Sequence, residues 1–146
     1  MILQDILSTK GSTVHTISPG TMLDEVAQTL VEHRIGSLLV ARQAPSGTQE
    51  LLGIVTERDI LYHCAKSNLP LAAVEVTSVM SSPLTTAAPT DSIDLAMGLM
   101  TTKRIRHLPV LLEGRLIGVI SIGDLVKAQH DHLAMENKFM KDYIRS

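Results

Sequence analysis

An α+β fold, made of two pseudo-symmetric copies of one β-α-β-β-α unit, is predicted by three observations. The first is internal repetition. Seventy residues after Pro19, Asp24, Ile35, Leu38 and Val40 stand Pro89, Asp94, Ile105, Leu108 and Val110. The second is a switch of apolar periodicity within each copy, from the i, i+3, i+4, i+7 spacing of a helix to two short apolar runs of strand type. The third is a shared ending. GIVTERD (53–59) and GVISIGD (118–124) both place a hydroxyl residue three positions before an Asp, at the end of an apolar run. Their offset is 65, because the first copy carries the insert QAPSGTQE (43–50) where the second has little more than EGR (113–115).

The elements follow in order. Each copy opens on a short β-type run, VHTI (14–17) and LTTA (84–87). Thr21 with Asp24, and Asp91 with Asp94, then have the spacing of a helix N-cap and an acidic third residue. The helical stripes are Leu23, Val26, Ala27 and Leu30, and Ile93, Ala96, Met97 and Met100. Two apolar strands separated by turn signals come next: SLLVA (37–41) with LLGIVT (51–56), and HLPVLL (107–112) with RLIGVIS (115–121). A second helix starts near each terminal Asp, as RDILYHCA (58–65) and GDLVKAQHDHLAM (123–135). The resulting division is a first repeat with its lead-in over 1–66, a connector over 67–83, a second repeat over 84–130 and a C-terminal helix over 131–146. Neither half is large enough to be well stabilised alone, so the two are expected to pack together through their sheets.

Composition narrows the function. Of 146 residues, 45% are hydrophobic and 2% aromatic, so the core is aliphatic and no ring platform exists for stacking bases. A net charge of −2 gives no general attraction for a phosphate backbone, and nucleic acid is not expected as a partner. No apolar run approaches a membrane span, no secretory leader is read in MILQDILSTK, and the single Cys64 suits a reducing compartment; a cytoplasmic protein is expected. A glycine-rich phosphate loop and a nucleophile motif are both missing, which argues against an enzyme. His130 and His132 point to different faces of a helix, which argues against a metal site. Met135, Phe139, Met140, Tyr143 and Ile144 make the last helix amphipathic, the pattern of a contact with a second chain.

The repeated ending, with the phrases GIVTERDI (53–60), MTTKRIRHLPV (100–110) and GVISIGDLV (118–126), resembles the cystathionine β-synthase (CBS) domain. Two in tandem resemble a Bateman module, here over roughly residues 2 to 130. The resemblance implies a regulatory module, commonly a homodimer, that binds an adenosine ligand (AMP, ADP, ATP, NAD(H) or S-adenosylmethionine) in clefts between the copies and modulates a separate protein. It implies that Asp124 and Asp59 hold ribose hydroxyls, and that Ser121 and Thr56 contact ribose or phosphate. It also implies that the pocket is lined around Leu108, Pro109 and Ile122 in one copy and Ser37 and Ile17 in the other.

Physical chemistry accommodates this reading. An ionised carboxylate accepts from both hydroxyls of a vicinal diol. Ser121 and Asp124 could equally do no more than cap the following helix. The copies also differ: Gly36, Ser37 and Leu39 stand where the second has Arg106, His107 and Pro109. The site of Ser121 and Asp124 is therefore expected to be the better one, with Arg106, His107 or Arg58 near phosphate and Lys10, from the lead-in ILSTKG (6–11), as a further phosphate candidate. The alternative is a protein-interaction and dimerisation scaffold whose ligand clefts are vestigial.

Overall fold

The computed structural model describes residues 1–11 and 14–145. Its elements are α1 (Leu3–Lys10), β1 (Thr16–Ile17), α2 (Leu23–His33), β2 (Ser37–Gln43), β3 (Gln49–Thr56), α3 (Glu57–Lys66), α4 (Ile93–Lys103), β4 (His107–Leu112), β5 (Arg115–Ser121) and α5 (Ile122–Arg145), with single 3₁₀ turns at Leu71–Ala73 and Val76–Ser78. The α+β class is present; the first repeat shows the full β-α-β-β-α order, and the second shows α-β-β-α with a single bridge at Ala87 in the place of its first strand. No helix of the described residues is long and apolar enough to cross a membrane.

The chain divides into two compact units, Met1–Val14 with Thr85–Ser146, and His15–Leu84. The first of these, unit 1, therefore contains the second repeat together with the N-terminal lead-in. The division expected from sequence attaches that lead-in to the first repeat. The reason for the difference is apolar burial. Helix α1 inserts Leu3 at 0% exposure, Ile6 and Leu7 into a cluster with Ile93, Met100, Leu108, Val110, Ile120 and Leu125. Its start is held by main-chain bonds from Leu3 to Asp91 and from Gln4 to Pro89. Unit 2 has a separate core of Leu23, Val26, Leu30, Leu38, Val40 and Val55, closed by Val74 and Val76 from the connector.

Each sheet carries the same irregularity. Strands β2 and β3 pair antiparallel and slip register between Val40 and Ala41, and β4 and β5 do so between Val110 and Leu111. Val40 faces Gly53 and Val110 faces Gly118, so the bulge adjoins the glycine of each terminal motif. The second hairpin turns on Glu113 and Gly114, both left-handed (φ 51° and 78°), as a two-residue loop demands.

Four local expectations are corrected. LTTA forms no strand; Ala87 alone bridges Val110 in parallel, while in the other repeat β1 pairs Ile17 with Val40 in the same register. Thr21 does not cap α2: its hydroxyl lies 3.1 Å from that of Ser18, and the N-cap is Met22. Helix α4 is capped by Ser92, whose Oγ accepts from the Leu95 N–H, while Asp91 accepts from the Ala88 N–H to close the preceding turn. The final two helical segments are one helix, α5, of 24 residues.

Candidate functional site

The two terminal motifs fold as the same device. At the β5–α5 junction the Ser121 N–H donates to Asp124 Oδ2 at 2.8 Å, and the Asp124 N–H donates to Ser121 Oγ at 3.1 Å. At the β3–α3 junction the Thr56 N–H donates to Asp59 Oδ2 at 2.8 Å, and the Asp59 N–H donates to Thr56 Oγ1 at 3.4 Å. These are reciprocal capping boxes, built with Asp in place of the usual Glu. The spacing of three is what lets hydroxyl and carboxylate each satisfy a main-chain donor of the other at the first turn.

The glycines of the two motifs are closely approached. A Cβ on Gly53 would lie 2.7 Å from Met80 Sδ and 2.8 Å from the Ser81 carbonyl oxygen. A Cβ on Gly118 would collide with the Leu7 side chain. The segment leading into a repeat thus closes over the glycine of a terminal motif in both units, the connector on β3 and α1 on β5.

Only at Asp124 does a cation join the box, among the described residues. Lys10, the last residue of α1, donates to Asp124 Oδ2 at 2.7 Å and to the Val119 carbonyl at 2.7 Å. Burial pushes the Asp124 carboxyl up, but the bond and charge of Lys10 and the Ser121 donors outweigh it and hold the carboxyl below its ordinary value. Every hydrogen bond to this carboxylate from a described residue ends on Oδ2, and the side chain is 25% exposed.

A cavity of about 370 Å³ opens between α1 and α5 beside this carboxylate. It is lined by Asp5, Ile6, Lys10, Asp124, Lys127 and Asp131, among others. Lys127 and Asp131 are not among the residues expected from sequence; their spacing from Asp124, three and seven residues along one helix, is the signal that points to them. In unit 2 a cavity of about 450 Å³ lies between α2 and α3, beside Arg34, Glu57 and Ile60, and neither Thr56 nor Asp59 lines it.

The other candidates fall into place by unit. His107 pairs with Ser121 across the sheet, and the Arg106 carbonyl accepts from the Ile122 N–H at 2.9 Å, so Arg106, His107, Ser121, Ile122 and Asp124 gather at one end of β4 and β5. Arg106 is exposed. Leu108 is wholly buried in the core, and Pro109 faces Val119 and receives a bond from Ala87. In unit 2, Ser37 pairs with Thr56, and Ile17 lies beside Val40. Arg58 is exposed on the first turn of α3, and Arg104 is the left-handed C-cap of α4, φ 55°.

Residues 4–66 and 76–131 match the CBS domain family. The chain belongs to the CBS-domain proteins. The mitochondrial CBS domain-containing protein CBSX3 of Arabidopsis thaliana is 34% identical over 138 residues, covering 89% of this chain and 66% of its own length. The CBS-domain protein ATU1752 of Agrobacterium tumefaciens superposes with a TM-score of 0.81 at 36% identity, covering 88% of this chain and 99% of that one. The CBS domain pair of MJ0100, solved in complex with 5-methylthioadenosine and S-adenosylmethionine, shares the fold at 22% identity and a TM-score of 0.73, over 88% and 98% of the two chains.

Proposed function

We propose that this tandem CBS protein is a non-catalytic regulatory module that binds an adenosine nucleotide at the Ser121–Asp124 end of unit 1. The observation that carries the reading is the Asp124 carboxylate itself. It is fixed in orientation by its capping box, its Oδ1 accepts no hydrogen bond from the described residues, and it borders a cavity of about 370 Å³. That volume is in the range of small-molecule pockets. A carboxylate so placed is suited to a vicinal diol, and Lys10 and Lys127 supply cations at the same cavity. The adenosine ligands bound by the MJ0100 pair make AMP, ADP, ATP, NAD(H) and S-adenosylmethionine the compounds to try. Binding would alter a partner by favouring one arrangement of the module over another, in proportion to its difference in affinity for the two.

The test is calorimetric titration with AMP, ADP, ATP, NADH and S-adenosylmethionine. Asp124→Ala is expected to weaken the bound nucleotide about 100-fold, the order of two charge-assisted hydrogen bonds, with the fold kept. Equal affinity in mutant and parent overturns the assignment.

A second reading, an interaction and dimerisation scaffold, draws on two observations. The Lys10 pair already satisfies Asp124. Helix α5 also exposes Val126, Leu133, Met140 and Ile144, which share one side of the helix at the seven-residue and four-residue spacings of a helix-pairing stripe. On this reading a homodimer forms through α5 and no nucleotide shifts the melting temperature.

A further inference from the structure

We propose that Lys10 makes the Asp124 site selective for anionic ligands by competing for the carboxylate when no phosphate is present. The inference rests on the nucleotide reading above and concerns which member of that class the site takes.

Three observations carry it. The Lys10 ammonium sits 2.7 Å from Asp124 Oδ2, the oxygen that also accepts from the Ser121 N–H. A diol that uses both carboxylate oxygens must therefore share or displace the ammonium. The base of the lysine is anchored in the core, while its head is held only by its bonds to Asp124 and the Val119 carbonyl. Leu7, one turn back, is 4% exposed in the core, whereas the Lys10 side chain is 41% exposed on a flexible four-carbon stem. The other repeat lacks the device. Seventy residues after Lys10 stands Met80, which carries no charge, and Asp59 Oδ2 is engaged by its own Thr56.

The consequences follow from charge. A neutral nucleoside that displaces Lys10 from Asp124 leaves an ammonium without its counterion. A sulfonium compound adds a second cation beside it. A nucleoside phosphate supplies a replacement partner, so Lys10 exchanges one anion for another and nothing is left uncompensated. AMP is thereby favoured over adenosine, and S-adenosylmethionine is disfavoured.

The experiment titrates AMP, adenosine and S-adenosylmethionine into the parent, Lys10→Gln and Lys10→Arg proteins, with thermal melting to confirm that each is folded. The parent is expected to prefer AMP. In Lys10→Gln that preference should fall by about tenfold or more, the order of one charge-assisted hydrogen bond. AMP weakens while adenosine holds or tightens. Lys10→Arg should keep the preference. If Lys10→Gln leaves the ratio of AMP to adenosine affinity unchanged, or weakens both equally, Lys10 is only a structural tether of α1 and the proposal falls while nucleotide binding stands. If the parent binds none of the three, this proposal is overturned; if it also binds none of ADP, ATP and NADH, the nucleotide reading falls with it.

Discussion

The β3–α3 and β5–α5 junctions carry one motif and one hydrogen-bonding scheme, yet they are chemically different places. Asp59 does no more than close the first turn of α3 among the described residues. Asp124 does the same for α5 and in addition takes a lysine from a helix 114 residues away in sequence, at the edge of a cavity. The lesson is that the motif specifies a cap, and that what approaches the cap decides whether a site exists. In unit 2 the approaching segment is the connector, which brings Met80 and Ser81; in unit 1 it is α1, which brings Leu7 and Lys10.

The largest expected effect probes how firmly each approaching segment is held. Leu3→Ala empties a fully buried position in α1 and should cost about 3 kcal/mol in urea unfolding, with Val76→Ala in the connector costing about 2. A neutral Leu3→Ala would mean that α1 is not part of the unit 1 core, and the contrast between the units would lose its basis.

Next come the glycines. Gly53→Ala pushes a methyl against the Ser81 carbonyl, which belongs to the main chain, and should cost about 2 kcal/mol. Gly118→Ala meets the end of the Leu7 side chain, which can shift, and should cost about 1. Equal losses in chemical denaturation would show that the two approaches are equally rigid.

The smallest effect is acid sensitivity. A carboxyl whose pKa is held below its ordinary value of 3.8 is more easily ionised folded than unfolded. Its stabilisation is complete above that value and is lost as pH falls through the lower, folded one. Lys10→Gln removes part of the cause, so the parent's extra stability over Lys10→Gln should shrink as pH drops below about 4. A difference that stays constant as pH is taken well below that point would show that the ion pair contributes nothing that titrates.

Much of this was legible in the chain. Several positions seventy apart carry the same residue, so the repeat shows directly; Ile17 and Ala87, though different residues, lie in the same register against Val40 and Val110. The capping geometry of Ser121 with Asp124 and of Thr56 with Asp59 was open to the same reasoning, because it is local. Thr21 and Asp91 misled because a hydroxyl or carboxylate near a helix start has several main-chain and side-chain partners within reach, and the tertiary fit of the first turn selects among them.

The sequence by itself determined the α+β class, the two copies, the hairpin of each and the polar pair at each strand-to-helix step. These depend on periodicity and on contacts within about four residues. Only the tertiary structure decided that α1 folds with the second repeat, that Lys10 therefore reaches Asp124 and not Asp59, and that Leu108 belongs to the core. Burial of three apolar side chains in α1 selects among surfaces, and such a choice leaves no periodic trace in the chain.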